Sequence, residues 1–252
     1  MSKETIKCTN DNIKQIVEEQ IELLGNEADL NHLDVSEVTS MGGLFKESQF
    51  NGDISSWDVS SVENMHTMFQ KSQFNGDISS WDVSNVTNMF GMFSESVFNG
   101  NVSGWNVGKA ENMGWMLQKS QFNGDISSWD VGSVTRMFDM FSESQFNGDI
   151  SSWDVSSVKR MDRMLLGSKF NTDISGWNVN NVTNMGLMFG DSQFNGDIGN
   201  WNVSSVENMN GLFRDSQFSS NISSWDVGNE TQTLRMFENC PIQEKNKPKF
   251  KN

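Results

Sequence analysis

Tyrosine is absent from the 252 residues, and cysteine and histidine occur only twice each. A buried phenol needs a hydrogen-bond partner, so a chain without one suits a dry interior. His32 and His66 are isolated, and no Cys/His grouping has the spacing of metal ligands. Serine is plentiful, but no histidine lies near to activate it. G-x-S-x-G, phosphate-loop and dinucleotide-binding patterns are missing as well. No enzyme activity, metal or cofactor is therefore expected. No stretch of 18 apolar residues occurs, so no membrane insertion is expected. The opening MSKETIKCTNDN lacks an apolar core, so no Sec signal peptide or lipoprotein leader is expected. That points to the cytoplasm or to export by a non-Sec route. Basic side chains are scarce: 18 Lys and Arg against 33 Asp and Glu give a net charge of −15. The sequence pI is about 4.4. Such a field repels phosphates, which argues against nucleic acid and anionic membrane surfaces as partners.

What the chain has instead is a period. Tryptophan falls at Trp57, Trp81, Trp105, Trp129, Trp153, Trp177, Trp201 and Trp225, always 24 residues apart, with only Trp115 off the grid. A fixed period of this length marks a solenoid. Hydrophobic content is only 35%, yet 18 Phe, 16 Met and 9 Trp supply a core. The consensus is S-x-x-F-N-G-D-I-S-S-W-D-V-S-x-V-x-N-M-x-x-M-F-x.

Each column has a physical reading. Ile54, Trp57 and Val59 alternate with polar residues, which predicts a short strand. Ser60 and Glu63 have capping-box spacing, as do Ser204 and Glu207. Val62, Met65, Met68 and Phe69 then follow at the spacing of a short helix. Phe74 points inward, and Asn75-Gly76 suits a turn with positive φ. The expected fold is thus an α/β repeat solenoid: one short parallel strand plus one short helix per 24-residue coil.

The ends differ from the middle. Residues 1–28 form an N-terminal cap, with Ile13, Ile16, Val17, Ile21 and Leu24 at helical spacing, and Leu33 takes the tryptophan column. Residues 29–240 are the repeats, with Met236 and Phe237 closing the last helix and Pro241 stopping it. Residues 241–252 read as a loose basic tail. Capped ends predict a discrete monomer. Cys8 and Cys240 sit about eight coils apart, ~40 Å at about 4.8 Å per coil, so free thiols are expected.

The run from Phe50 to Phe69, F-N-G-D-I-S-S-W-D-V-S-x-V-x-N-M-x-x-M-F, resembles the BspA-like bacterial surface-protein repeat. That family is abundant in mycoplasma lipoproteins, and the likeness covers roughly residues 29–239. The I-x-x-W-x-V spacing is also similar to the L-x-x-L-x-L of leucine-rich repeats. The resemblance implies leucine-rich-repeat-like coils, a cell-surface location, and adhesin-like use.

Candidate sites follow from the columns. Asp34, Asp58, Asp82, Asn106, Asp130, Asp154, Asn178, Asn202 and Asp226 share one column. Carboxylates stacked about 4.8 Å apart repel by roughly 1 kcal/mol per neighbour even in water. A row of Ca²⁺ ions could offset this. Local bonds to backbone N–H groups explain it better, because Asn replaces Asp three times. The column from Asp53 to Asp197 is read the same way, and the Asn51 column as an internal ladder. Phe90, Trp115 and Phe138 break the pattern on consecutive coils. They form either an exposed contact patch or a locally widened core. Arg136, Lys159, Arg160 and Arg163 form the only basic cluster within the repeats. Salt bridges to Asp139, Glu143 and Asp162 are its plain reading, and a site for an acidic partner the sharper one. The partner site is therefore placed at Phe90, Trp115, Phe138, Arg136, Arg160 and Arg163, for a protein or glycan. The alternative is an ice- or polysaccharide-binding ladder along the Ser56 column.

Overall fold

The computed structural model describes residues 4–250. Among the described residues regular helix and strand are few: β1 (Ile6–Lys7), α1 (Ile13–Leu24), β2 (Leu33–Asp34) and a 3₁₀ turn at Glu244–Asn246. β1 pairs in parallel with β2, Ile6 opposite Leu33. The amphipathic stripe of α1 places Ile13 and Val17 in the core, as a cap requires. Both thiols are free: Cys8 is buried and Cys240 half-buried.

From residue 29 onward the molecule is a repeat protein built from tight turns. Isolated parallel bridges run from Ser40 through Asn64, Asn88, Asn112, Arg136, Arg160, Asn184 and Asn208 to Gln232, in steps of 24. Tryptophans 57 to 225 of the grid are all buried, with Phe74, Phe98, Phe122, Phe146, Phe170 and Phe194 behind them. Neighbouring rings stack: Trp57 and Trp81 lie 6.4 Å apart and 2° from parallel, Phe69 and Phe93 5.6 Å and 2°. Burying these rings and the methionines between them supplies the driving force that no single repeat could.

The helix expected in each repeat is absent, and this corrects the α/β strand-plus-helix prediction. Met65, Thr67, Phe69 and Lys71 do not donate to carbonyls four residues back. Their N–H groups reach Asn88, Phe90, Met92 and Ser94 of the following repeat, at 2.9, 2.7, 2.9 and 2.8 Å. The residues between them close tight turns, such as Met68 N–H to Met65 O at 3.2 Å. Thr67 and Lys71 take left-handed φ of 51° and 56°, which no α-helix tolerates. The same pattern recurs to Arg235 and Asn239, so Met236 and Phe237 end a turn rather than a helix.

The Ile54–Val59 segment is not a strand either: Trp57 N–H donates to Ile54 O at 3.2 Å, closing a turn. Aspartates on both sides hold that bend. Asp53 accepts from Ser55 N–H at 2.9 Å and Asp58 from Ser60 N–H at 3.1 Å. Ser60 Oγ donates to Asp58 at 2.6 Å, so it caps no helix. The Asn-Gly pair also differs from expectation, since Gly76 is not among the positive-φ residues. Glycine is needed there because a Cβ would lie 2.9 Å from the Phe74 ring.

The segment after Pro241 is docked over its described part rather than loose. Ile222 N–H donates to Asn246 O at 2.9 Å, Ile242 is buried, and Lys247 Nζ sits 5.2 Å from the Phe237 ring centroid. Lys251 and Asn252 lie outside the described residues.

Candidate functional site

The polar columns are largely consumed by structure. In the Asn51 column each side-chain oxygen accepts the N–H of the next asparagine, from Asn51 to Asn75 at 2.8 Å through to Asn171 to Asn195 at 2.9 Å. In the Asp columns the oxygen accepts from the N–H two residues on, and Asn106 does this for Gly108 as Asp154 does for Ser156. The serine hydroxyl and then the N–H two residues on hold Asp34, Asp82 and Asp154 below the usual carboxylate range, and the N–H and then the hydroxyl hold Asp53, Asp77, Asp125, Asp149 and Asp173 there. Along the Ser56 column, the hydroxyls of Ser80, Ser128, Ser152 and Ser224 donate to carbonyls of the preceding repeat. Among the described residues no group of three or more His, Cys, Asp or Glu is placed to hold a metal ion. No helix among them is long and apolar enough to cross a membrane.

The off-pattern aromatics do come together. The Phe90 ring centroid lies 5.4 Å from Trp115 and 5.9 Å from Phe138. All three are half-buried, outside the continuous core, so neither of the two sequence readings holds in full. The local backbone explains the arrangement. Phe90 and Phe138 stand in one column, and Gly114 between them leaves the space over which Phe138 folds: a Cβ there would meet its ring at 2.7 Å. Trp115 sits in the adjacent left-handed column, with φ of 58°. A non-glycine residue held in that conformation is strained, and the strain persists only where the surroundings enforce it.

Below the rings lies an ionic layer. Asp139, almost fully buried, accepts from Trp115 Nε1 at 3.1 Å and from Arg163 Nε at 3.0 Å. Burial pushes its carboxyl up, against the downward pull of Arg163 and Trp115. Arg160 grips Asp162 with Nε at 3.0 Å and Nη2 at 2.9 Å, and its guanidinium carbon lies 4.5 Å from the Phe138 centroid. Arg163 and Arg160 thus have the carboxylate partners that sequence suggested. Arg136 does not: it is exposed and lines a cavity of about 310 Å³ with Thr135, Lys159, Arg160 and Thr183. Of the proposed partner residues, Phe90, Trp115, Phe138, Arg160 and Arg163 form one connected surface, and Arg136 joins it through Arg160.

Sequence reasoning missed the central place of Asp139, and of Thr135 and Thr183 beside Lys159. The signal available was column irregularity. Position 159 holds Lys in a column that otherwise runs Thr39, Glu63, Thr87, Glu111, Thr135, then Thr183, Glu207 and Thr231.

No curated protein and no solved structure matches the chain. One family does, three times over, at residues 11–121, 98–192 and 166–251. With bridges recurring every 24 residues across the same span, the chain belongs to the family described as Mycoplasma protein of unknown function, DUF285.

Proposed function

We propose that this chain is a non-catalytic scaffold for macromolecular interaction, a continuous solenoid of 24-residue coils that presents one irregular face. The face runs from Phe90 through Trp115 and Phe138 to Arg160 and Arg163. The observation that carries the reading is a cluster of three half-buried aromatics that the core does not need, with Phe90 stacked on Trp115 and tilted against Phe138. Large aromatics beside arginine are the composition of contact hot spots. Trp115 further supports it, because the same left-handed column carries Thr67, Leu187 and Arg235 in other repeats, so the fold does not call for an indole there. The partner is a protein or glycan, bound by an adhesin-like or effector-like module, and the BspA-like resemblance favours the cell surface.

The test is capture of partners by the full chain, from host-cell protein extracts and from immobilised glycans, repeated with Trp115→Ala and Phe138→Ala. The reading expects a ligand retained by the parent and lost by both variants at unchanged folding. Ligands retained equally by all three proteins would refute this face as the site.

A further inference from the structure

Three departures from the repeat converge on one cavity. The bridge column holds asparagine at 64, 88, 112, 184 and 208, and arginine only at Arg136 and Arg160. Each of those asparagines accepts the N–H two residues on: His66, Phe90, Gly114, Gly186 and Asn210, at 3.0 to 3.2 Å. Arginine has no acceptor, so Phe138 and Asp162 forgo that cap. The third departure is Lys159, a reversal of charge where Glu63, Glu111 and Glu207 set the alternation.

All three cations line the cavity of about 310 Å³, with the threonines Thr135 and Thr183 at its flanks and no carboxylate in its wall. Two repeats earlier the equivalent groove is lined by Thr87, Lys109, Glu111, Ser133 and Thr135, so there an acid stands where Lys159 stands here. Elsewhere neighbouring repeats pair opposite charges, as Lys71 with Glu95 and Lys119 with Glu143. At this cavity like charges are stacked instead. Arg160 is tied to Asp162, but among the described residues neither Arg136 nor Lys159 has a carboxylate within ion-pair distance. A local rule broken three times, at the loss of two caps and with like charges together, marks a functional site.

We propose that this cavity binds an oxyanion, a sulfate, phosphate or carboxylate group, between Arg136 and Lys159, with Arg160 as its fixed wall. Arginine and lysine recognise such groups by charge-assisted hydrogen bonds. The site belongs to the contact face described above and so rests on that reading, in which it names the chemistry of the ligand; the two are separable through Trp115→Ala, because Trp115 does not line this cavity, whereas Phe138 lies against its wall residue Arg160.

The test is titration of the full chain with sulfate, phosphate or acetate at constant ionic strength, followed by backbone NMR shifts and by melting temperature. At least one anion should give saturable shifts confined to residues 135–138, 159–162 and 183–184. The same anion should raise the melting temperature. Arg136→Asn and Lys159→Glu restore the residues of the regular columns, so they should fold at least as well as the parent while weakening binding tenfold or more. Which anion saturates first identifies the group. No saturation with any of the three, or saturation undiminished in both variants, would overturn the proposal. Loss of partner capture in Trp115→Ala with anion binding retained would leave it standing.

Discussion

Trp129 Nε1 donates to the carbonyl oxygen of Val102, 27 residues earlier, at 3.0 Å. The relationship recurs from Trp57 with Leu30 to Trp225 with Ile198. Each indole therefore fills the core of its own repeat and ties it to the one before. Trp129→Phe keeps most of the apolar volume but removes one of the two hydrogen bonds that the Val102 carbonyl accepts, leaving it the Trp105 N–H at 3.1 Å. That should cost about 0.5–1.5 kcal/mol, the net worth of one hydrogen bond whose acceptor keeps another partner. Trp129→Ala should cost about 3–5 kcal/mol. Chemical denaturation of both variants, read by circular dichroism, checks the order.

Left-handed positions predict a stabilising change. Asp191 holds φ of 52° in a column where Gly167 also occurs, and its side chain is exposed. Asp191→Gly should raise stability by roughly 0.5–1 kcal/mol, because glycine removes the Cβ clash. Calorimetry should show a higher melting temperature; an unchanged or lower value would mean the left-handed turn is misplaced.

These turns also explain what was legible in the sequence. The period, the inward columns and the side-chain caps are local and repeat faithfully, so Trp57, Phe74, Asp58 and Asn51 were placed by chemistry alone. The helix was misread because Val62, Met65, Met68 and Phe69 point inward equally well from consecutive turns. What separates the two is the destination of N–H groups such as Thr67, whose acceptor Phe90 lies 23 residues ahead. No local pattern encodes so distant a partner. The contact face was partly legible because Phe90, Trp115, Phe138 and Arg136 break their columns. Asp139 was not, since its burial depends on rings and arginines from other repeats.

The aspartate columns set an acid limit. Asp77, Asp125, Asp149 and Asp173 are held below the ordinary carboxylate range by the N–H and hydroxyl groups of Ser79, Ser127, Ser151 and Ser175. A depressed folded-state pKa stabilises above the unfolded value of about 3.9, and the contribution is lost as pH falls through the folded value. Melting temperature should therefore decline below about pH 4. Replacing the four with Asn, which already serves at Asn101 for Ser103, should flatten that decline. An equally steep decline in the variant would show that these caps do not govern it.

The two thiols should differ in reactivity. Cys8 is fully buried, and desolvation raises its pKa, which disfavours the thiolate. Cys240 is half-buried near the end of the repeats. A thiol reagent should modify Cys240 in the folded protein and Cys8 only after unfolding. Equal rates at both would show that α1 and β1 do not close over Cys8.

Stacked repeats sharing one dry interior are the claim on which the rest depends, and acrylamide quenching of tryptophan fluorescence tests it most directly. The eight regularly spaced indoles are at most 4% exposed, and only Trp115 reaches the half-buried outer layer. The folded protein should emit at short wavelength with most of its fluorescence unquenched, and Trp115→Phe should remove most of the quenchable part. Emission like that of free indole, with the majority of the signal quenched, would contradict the account.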